Sequence, residues 1–174
     1  MSPRQTLIPS VTFQVMEGDQ PRSISSREVF SGRSVALFGV PGAFMPACHH
    51  IHIPEIIGEY ERNKSDGVDL VALTAVNDVF VLEAWRRSLS IPSEILLLAD
   101  GNGDFARGLG FLFDGRSLGL GERSKRYAMW VTDTEIRHLN VEPDPTIAEV
   151  SSAYSLLADF DRWSQDALPH STYG

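Results

Sequence analysis

The stretch "ALFGVPGAFMPACHHIHIPEI" (residues 36–56) decides the fold, and it holds the only cysteine of the chain. Its first part is apolar on successive residues up to Val40, which is typical of a strand buried on both faces. A Pro-Gly turn follows, and residues 46–64 then have a proline in the first turn and isoleucines at helical spacing. This pattern predicts a helix that starts just before Cys48, with an irregularity at Pro54.

The rest of the chain alternates apolar runs with amphipathic segments. Residues 18–23 are predicted to form a turn cluster, and a glycine-rich loop is expected through Gly121. The predicted strands are 11–16, 34–40, 68–76, 94–100, 126–133 and 135–142, and the predicted helices are 46–64, 77–90, 105–111 and 149–160. This order predicts an α/β fold with a mixed central β-sheet flanked by helices, in one domain spanning 1–174.

Composition excludes several classes of function. The chain has 174 residues, of which 43% are hydrophobic and 22% charged, and its net charge is −8. An acidic surface repels phosphate backbones, so nucleic acid is not an expected partner. No apolar run approaches the roughly 20 residues of a membrane span, and no secretory signal is visible, so no membrane association is expected. A lone cysteine fits a reducing compartment, and a cytoplasmic location is expected.

Three interpretations of Cys48 are open from its position alone: a buried small hydrophobe, a metal ligand, or a reactive thiolate. The first turn of a helix favours an anion, and α/β folds place their sites at this edge of the sheet. On a helix, His52 shares a face with Cys48, whereas His49 and His50 are turned away. A closed tetrahedral zinc site needs about four protein ligands and this face offers two, so no metal is expected and His52 is predicted to be a packed helix residue.

The segment "GVPGAFMPACHHIHIP" resembles the active-site motif of the peroxiredoxins, in particular of their type-5 or type-II branch. Four further blocks resemble successive signatures of that branch, in order along the chain: "AVNDVFVLEAW", "LLLADGNGDFARGLG", "LGLGERSKRYAMWV" and "LNVEPDP". The resemblance covers nearly the whole chain and implies a thioredoxin-like fold.

The resemblance also implies roles for individual residues. Cys48 takes the place of the cysteine that attacks the peroxide and becomes a sulfenic acid. Arg126 takes the place of the arginine that holds the thiolate and polarises the peroxide. Pro41 matches the proline that shields the pocket, and Gly42 beside it is expected to line the pocket.

The reaction implied is the reduction of hydrogen peroxide or an organic hydroperoxide without a cofactor. With one cysteine in the chain, the sulfenic acid has to be reduced by an external thiol such as glutathione, glutaredoxin or thioredoxin. The family's common mode of association uses surfaces around the active-site loop, so a homodimer is expected.

Two departures from the motif keep alternatives open. Met45 replaces the motif's threonine, and a thioether cannot donate the hydrogen bond that a hydroxyl donates. His49 replaces a residue that is usually serine, and it is a candidate pocket residue that supplies acid–base chemistry near neutral pH. The alternatives are a diverged enzyme acting on another small organic substrate, or a non-catalytic redox-sensing or interaction protein.

Overall fold

The computed structural model describes residues 6–46, 48–65, 67–144, 146–153 and 155–156. Its strands are β1 (Thr12–Glu17), β2 (Gln20–Ser25), β3 (Ser34–Val40), β4 (Leu70–Ala75), β5 (Leu96–Ala99), β6 (Leu112–Asp114), β7 (Glu122–Ser124), β8 (Tyr127–Thr132) and β9 (Glu135–Val141). Its α-helices are α1 (Ser26–Phe30), α2 (Ile53–Gly58), α3 (Tyr60–Ser65), α4 (Val79–Leu89) and α5 (Asp104–Leu109). A π-helical segment, Cys48–His52, precedes α2, and a 3-10 turn, Arg116–Leu118, lies between β6 and β7.

Seven strands form one mixed sheet in the order β2-β1-β5-β4-β3-β8-β9. The three central strands, β3, β4 and β5, run parallel, and the remaining pairings are antiparallel. The predicted mixed sheet is therefore confirmed. None of the helices in the described ranges is long and apolar enough to cross a membrane.

Strand β3 explains how the sheet buries both of its faces. Ala36, Phe38 and Val40 belong to the apolar cluster that also contains Cys48, while Val35 and Leu37 belong to the cluster on the opposite face. All five side chains are fully buried. Residues 35–40 are apolar at successive positions because both faces of this strand are buried, as predicted from the sequence.

Close packing of β3 against β8 fixes the position of the residue that precedes β8. Gly39 pairs with Tyr127, and a Cβ at Gly39 would come within 2.1 Å of the Tyr127 ring. A glycine is required here because the ring lies directly against the backbone. Arg126 directly precedes Tyr127, so this contact also fixes the position of the Arg126 backbone, from which the guanidinium extends.

Several predicted elements were wrong in their bounds or type. Residues 18–23 are a turn only at their start, because β2 begins at Gln20 and accommodates Pro21 as an edge strand. The glycine-rich region after α5 contains the antiparallel pair β6 and β7. In the predicted closing helix, residues 149–152 form turns and bends, and residues 157–160 lie outside the described residues.

Candidate functional site

The helix predicted around Cys48 is built in three pieces. The π-helical Cys48–His52 comes first, α2 contains Pro54 in its first turn, and Glu59 separates α2 from α3. Proline has no N–H to donate and crowds the carbonyl four residues earlier, so a widened turn ahead of it is expected. The irregularity predicted at Pro54 is confirmed, and it lies directly after the cysteine-bearing turn.

Cys48 and Arg126 come together although they are far apart in sequence. Arg126 Nη2 donates a hydrogen bond to Cys48 Sγ at 2.9 Å, and both side chains are 0% exposed. A fixed cation beside sulfur stabilises its ionised, nucleophilic form, and this effect is stronger where water is absent. Of the three interpretations of Cys48 (a buried small hydrophobe, a metal ligand or a reactive thiolate), the geometry fits the reactive thiolate best.

His52 does more than pack, which corrects the prediction made for it. Its Nε2 lies 3.0 Å from the carbonyl oxygen of Ser151, and its Nδ1 lies 3.0 Å from Arg126 Nη1. Because a carbonyl only accepts, Nε2 carries the hydrogen and Nδ1 accepts from the guanidinium. Burial and the charge of Arg126 lower the pKa of His52 from 6.5 to about 3. His52 is therefore neutral and orients Arg126 toward the sulfur.

Glu142 closes this arrangement into a ring. Its Oε1 accepts from the backbone N–H of Glu149 at 2.6 Å and from both the N–H and the hydroxyl of Ser151 at 2.8 Å. Its own backbone N–H donates to the Arg126 carbonyl at 2.9 Å. The ring therefore runs from Arg126 through Glu142, Ser151 and His52 back to the guanidinium. Glu142 is 2% exposed and its Oε2 has no hydrogen-bond partner among the described residues.

Residues 41–45, here called the cover, follow β3 and include side chains that pack against the cluster that contains Cys48. Pro41 and Gly42 are buried, and Ala43 and Met45 are half-buried against the cluster that contains Cys48. The Ala43 N–H donates to Asn77 Oδ1 at 2.9 Å, which ties this loop to the segment before α4. The sequence predicts an anion in the first turn of a helix, and the structure encloses the sulfur fully. A peroxide therefore reaches it only when the surrounding side chains move.

His49 is turned toward α4. Trp85 Nε1–H donates to His49 Nδ1 at 3.0 Å, and the Phe44 ring stacks on His49 with 5.7 Å between centroids. Since indole only donates, His49 Nδ1 is an acceptor and its hydrogen is on Nε2. Phe44 adopts a left-handed backbone conformation (φ 64), which is uncommon for a bulky residue, and remains 47% exposed. Phe44, His49 and Trp85 form an aromatic group beside the cover of Cys48.

Of the predicted site residues, the structure brings Cys48, Arg126, Pro41, Gly42, Met45 and His49 to one end of the sheet. Sequence reasoning missed the roles of His52, Ser151 and Glu142. Glu142 lies in the "LNVEPDP" block, but no pattern in that block indicates the partners of its side chain. In the part of the chain that the structure describes, no group of three His, Cys, Asp or Glu side chains is arranged to hold a metal ion.

Comparisons with known proteins identify the family of this chain. The family model described as Redoxin matches residues 4–157. Chloroplastic peroxiredoxin-2E of Arabidopsis thaliana is 42% identical over 78% of this chain, which spans 58% of that relative's length. Peroxiredoxin-2D of the same plant is 38% identical, with 81% of this chain and 86% of the relative covered. The crystal structure of reduced Prx3 from Vibrio vulnificus in complex with hydrogen peroxide has a TM-score of 0.85 and 39% identity, over 94% of this chain and 98% of that one.

Proposed function

We propose that this chain, which belongs to the peroxiredoxins within the Redoxin family and is a thiol-dependent peroxidase, performs that reaction through Cys48 and Arg126. The observation that carries the proposal is the 2.9 Å hydrogen bond from the Arg126 guanidinium to the Cys48 sulfur in a site without exposed surface. The Cys48 thiolate attacks the hydroxyl oxygen of the peroxide, and the S–O bond of the sulfenic acid forms as the O–O bond breaks. The departing oxygen takes up the proton that the thiol has released and leaves as water or alcohol. Arg126 stabilises the charge that moves from sulfur to the departing oxygen.

The ring of hydrogen bonds supports Arg126 in this role. A guanidinium accelerates the reaction only if it is already directed at the reacting atoms, since reorientation during the reaction costs free energy. His52 accepts from one terminal nitrogen, so the other terminal nitrogen is left to face the sulfur. Glu142 and Ser151 in turn hold the carbonyl on which His52 depends.

The test is rapid mixing of the reduced protein with hydrogen peroxide and with an organic hydroperoxide. Wild type is expected to form one sulfenic acid per chain, and Cys48→Ser to form none. Arg126→Lys keeps a positive charge but loses the planar group that contacts both His52 and sulfur, so its rate constant is expected to fall about 10²-fold or more. Peroxide consumption by Cys48→Ser at the wild-type rate contradicts the proposal.

The reductant is proposed to be an external thiol: glutathione, glutaredoxin or thioredoxin. The chain contains one cysteine, so a second sulfur that forms a disulfide with Cys48 has to come from another molecule. Mixing the oxidised protein with each reductant and recording the mixed disulfide by intact mass identifies the one that reacts. The same lone cysteine supports the proposed cytoplasmic location, where thiols stay reduced. Fractionation of cells that produce the protein tests that location.

The proposed assembly is a homodimer that associates around the active-site loop. Two exposed apolar side chains support it: Phe44 in this loop, at 47% exposure, and Phe80 in α4, at 63%, just after the segment that Asn77 ties to the loop. Sedimentation of wild type, Phe44→Asp and Phe80→Asp measures the mass directly. Leu139→Asp is the matched control, since Leu139 is also exposed (37%) but lies on the edge strand β9, two strands away from β3 and its loop. A monomeric wild type, or a dimer lost only in Leu139→Asp, contradicts this assembly.

A further inference from the structure

Met45 belongs to the loop between β3 and the cysteine-bearing turn. The Met45 carbonyl accepts from the His49 N–H at 2.8 Å, so residues 45 and 49 bracket the reactive cysteine. The Met45 side chain is half-buried and packs against the cluster that contains Cys48. Cys48 itself is fully enclosed, whereas Met45 keeps exposed surface and is the more accessible of the two sulfurs.

The Arg123 guanidinium lies within about 6 Å of the Met45 sulfur. A Cβ built on Gly42 would lie 3.0 Å from both Met45 Sδ and Arg123 Nη1, which sets this upper limit on the distance between the two atoms. Arg123 Nε donates to the Leu120 carbonyl at 2.8 Å, and Nη1 donates to the Val76 carbonyl at 3.2 Å. These bonds fix the guanidinium, which has five N–H donors in all. A thioether is a weak acceptor for such donors, whereas the oxygen of a sulfoxide is a strong one.

We infer that Met45 is a second oxidisable sulfur of this site, and that hydroperoxides convert it selectively to methionine sulfoxide with Arg123 binding the new oxygen. The thioether lone pair attacks the hydroxyl oxygen of the hydroperoxide, and an S–O bond forms as the O–O bond breaks. The proton on the transferred oxygen passes to the departing oxygen, which leaves as water or alcohol. Sulfur loses two electrons, and the peroxide gains them.

The consequence is a change of polarity in the cover of Cys48. A flexible apolar side chain becomes a polar one, held by a fixed guanidinium next to the turn at Gly42. The inference rests on the proposed function only in that hydroperoxides enter this site. It does not need turnover at Cys48, because the oxygen is transferred directly to Met45.

The experiment exposes the protein to excess hydrogen peroxide without reductant and measures sulfoxide on each methionine-containing peptide over time. Met16 is the internal control because it is also half-buried but lies on β1, and Met129 is fully buried. Met45 is expected to oxidise about tenfold or more faster than Met16 in the folded protein, because the site holds peroxide and sulfur together. The ratio is expected to approach one in urea, and to persist in Cys48→Ser.

Arg123→Gln removes the guanidinium and is expected to lower the ratio of Met45 to Met16 oxidation severalfold. Equal rates for Met45 and Met16 in the folded protein overturn the inference, and so does a high ratio that survives unfolding or disappears in Cys48→Ser. An unchanged ratio in folded Arg123→Gln overturns the part assigned to Arg123. Peroxide consumption by wild type without Met45 oxidation overturns this inference and leaves the proposed function standing. Oxidation of Met45 while Cys48 does not react supports this inference and overturns the proposed function.

Discussion

Glu142 offers the sharpest test of how Arg126 is positioned, because it lies outside contact with sulfur. Glu142→Ala removes the acceptor of three hydrogen bonds, from the Glu149 N–H and from two donors of Ser151. Hydrogen bonds to charged groups contribute about 1.5–3 kcal/mol each, so the folded state is expected to lose roughly 3–6 kcal/mol after partial replacement by water. The Ser151 carbonyl then no longer fixes His52, and the guanidinium loses its direction.

A loss of about 1.4–2.8 kcal/mol in transition-state stabilisation corresponds to a 10- to 100-fold slower reaction with peroxide. The assay is rapid mixing with hydrogen peroxide at low temperature, where the variant stays folded. Glu142→Gln keeps an acceptor oxygen and is expected to react within about threefold of wild type. Leu98→Ala is the matched control, since Leu98 is buried in the cluster on the opposite face of the sheet and its truncation costs about 2–5 kcal/mol.

The reasoning is refuted if folded Glu142→Ala reacts with peroxide at the wild-type rate. It is also refuted if Leu98→Ala slows the reaction as much as Glu142→Ala does. The loss of rate would then reflect a lower unfolding free energy and not the orientation of the Arg126 guanidinium.

Three further predictions follow from the same contacts. The folded state keeps His52 neutral (pKa about 3), so as the pH falls from 7 to 5 the imidazole takes up a proton only in the unfolded chain. Over that range the unfolding free energy of wild type, measured in urea, is expected to fall about 2 kcal/mol more than that of His52→Gln. Equal losses in the two proteins contradict this. Met45→Thr is expected to raise the rate constant with peroxide about tenfold or more over Met45→Val, which has the same shape without the hydroxyl, as measured by rapid mixing. Gly39→Ala is expected to cost about 3 kcal/mol or more of unfolding free energy in urea, because its methyl group overlaps the Tyr127 ring; a loss below 1 kcal/mol argues against this contact.

Periodicity predicted the central sheet because each central strand is buried on both faces. The β3 bounds of 34–40 agree with the structure, and α4 lies within the predicted helix 77–90, with Asp78 accepting from the Val81 N–H at 2.8 Å. These are local signals: an apolar run, and a capping side chain next to the helix it caps. The strand β2 was missed because Pro21 is a turn residue in most contexts, and only its place at the sheet edge makes it tolerable.

Long-range side-chain contacts explain most of what the sequence failed to predict. Residues 149–152 have a helix-like pattern, but the Glu149 and Ser151 amides donate to Glu142 and are therefore held in turns. The spacing of Cys48 and His52 correctly indicated a shared face. The partner that both side chains contact, Arg126, is 74 residues from His52, and its role came from the resemblance alone.

Enclosure of the sulfur both strengthens the chemistry and limits access to it. In a protein environment with an effective dielectric constant near 20, charges interact about fourfold more strongly than in water, so a buried Arg126 stabilises the charge that develops on the departing oxygen more strongly than an exposed one would. The same burial requires the side chains around Cys48 to move for each peroxide molecule. A compact side chain at position 45 eases this movement, whereas the longer Met45 fills the space above Gly42. Small reagents are therefore expected to modify Cys48 with a much larger rate constant than bulky disulfides. In Met45→Ala the ratio of these two rate constants is expected to be smaller than in wild type.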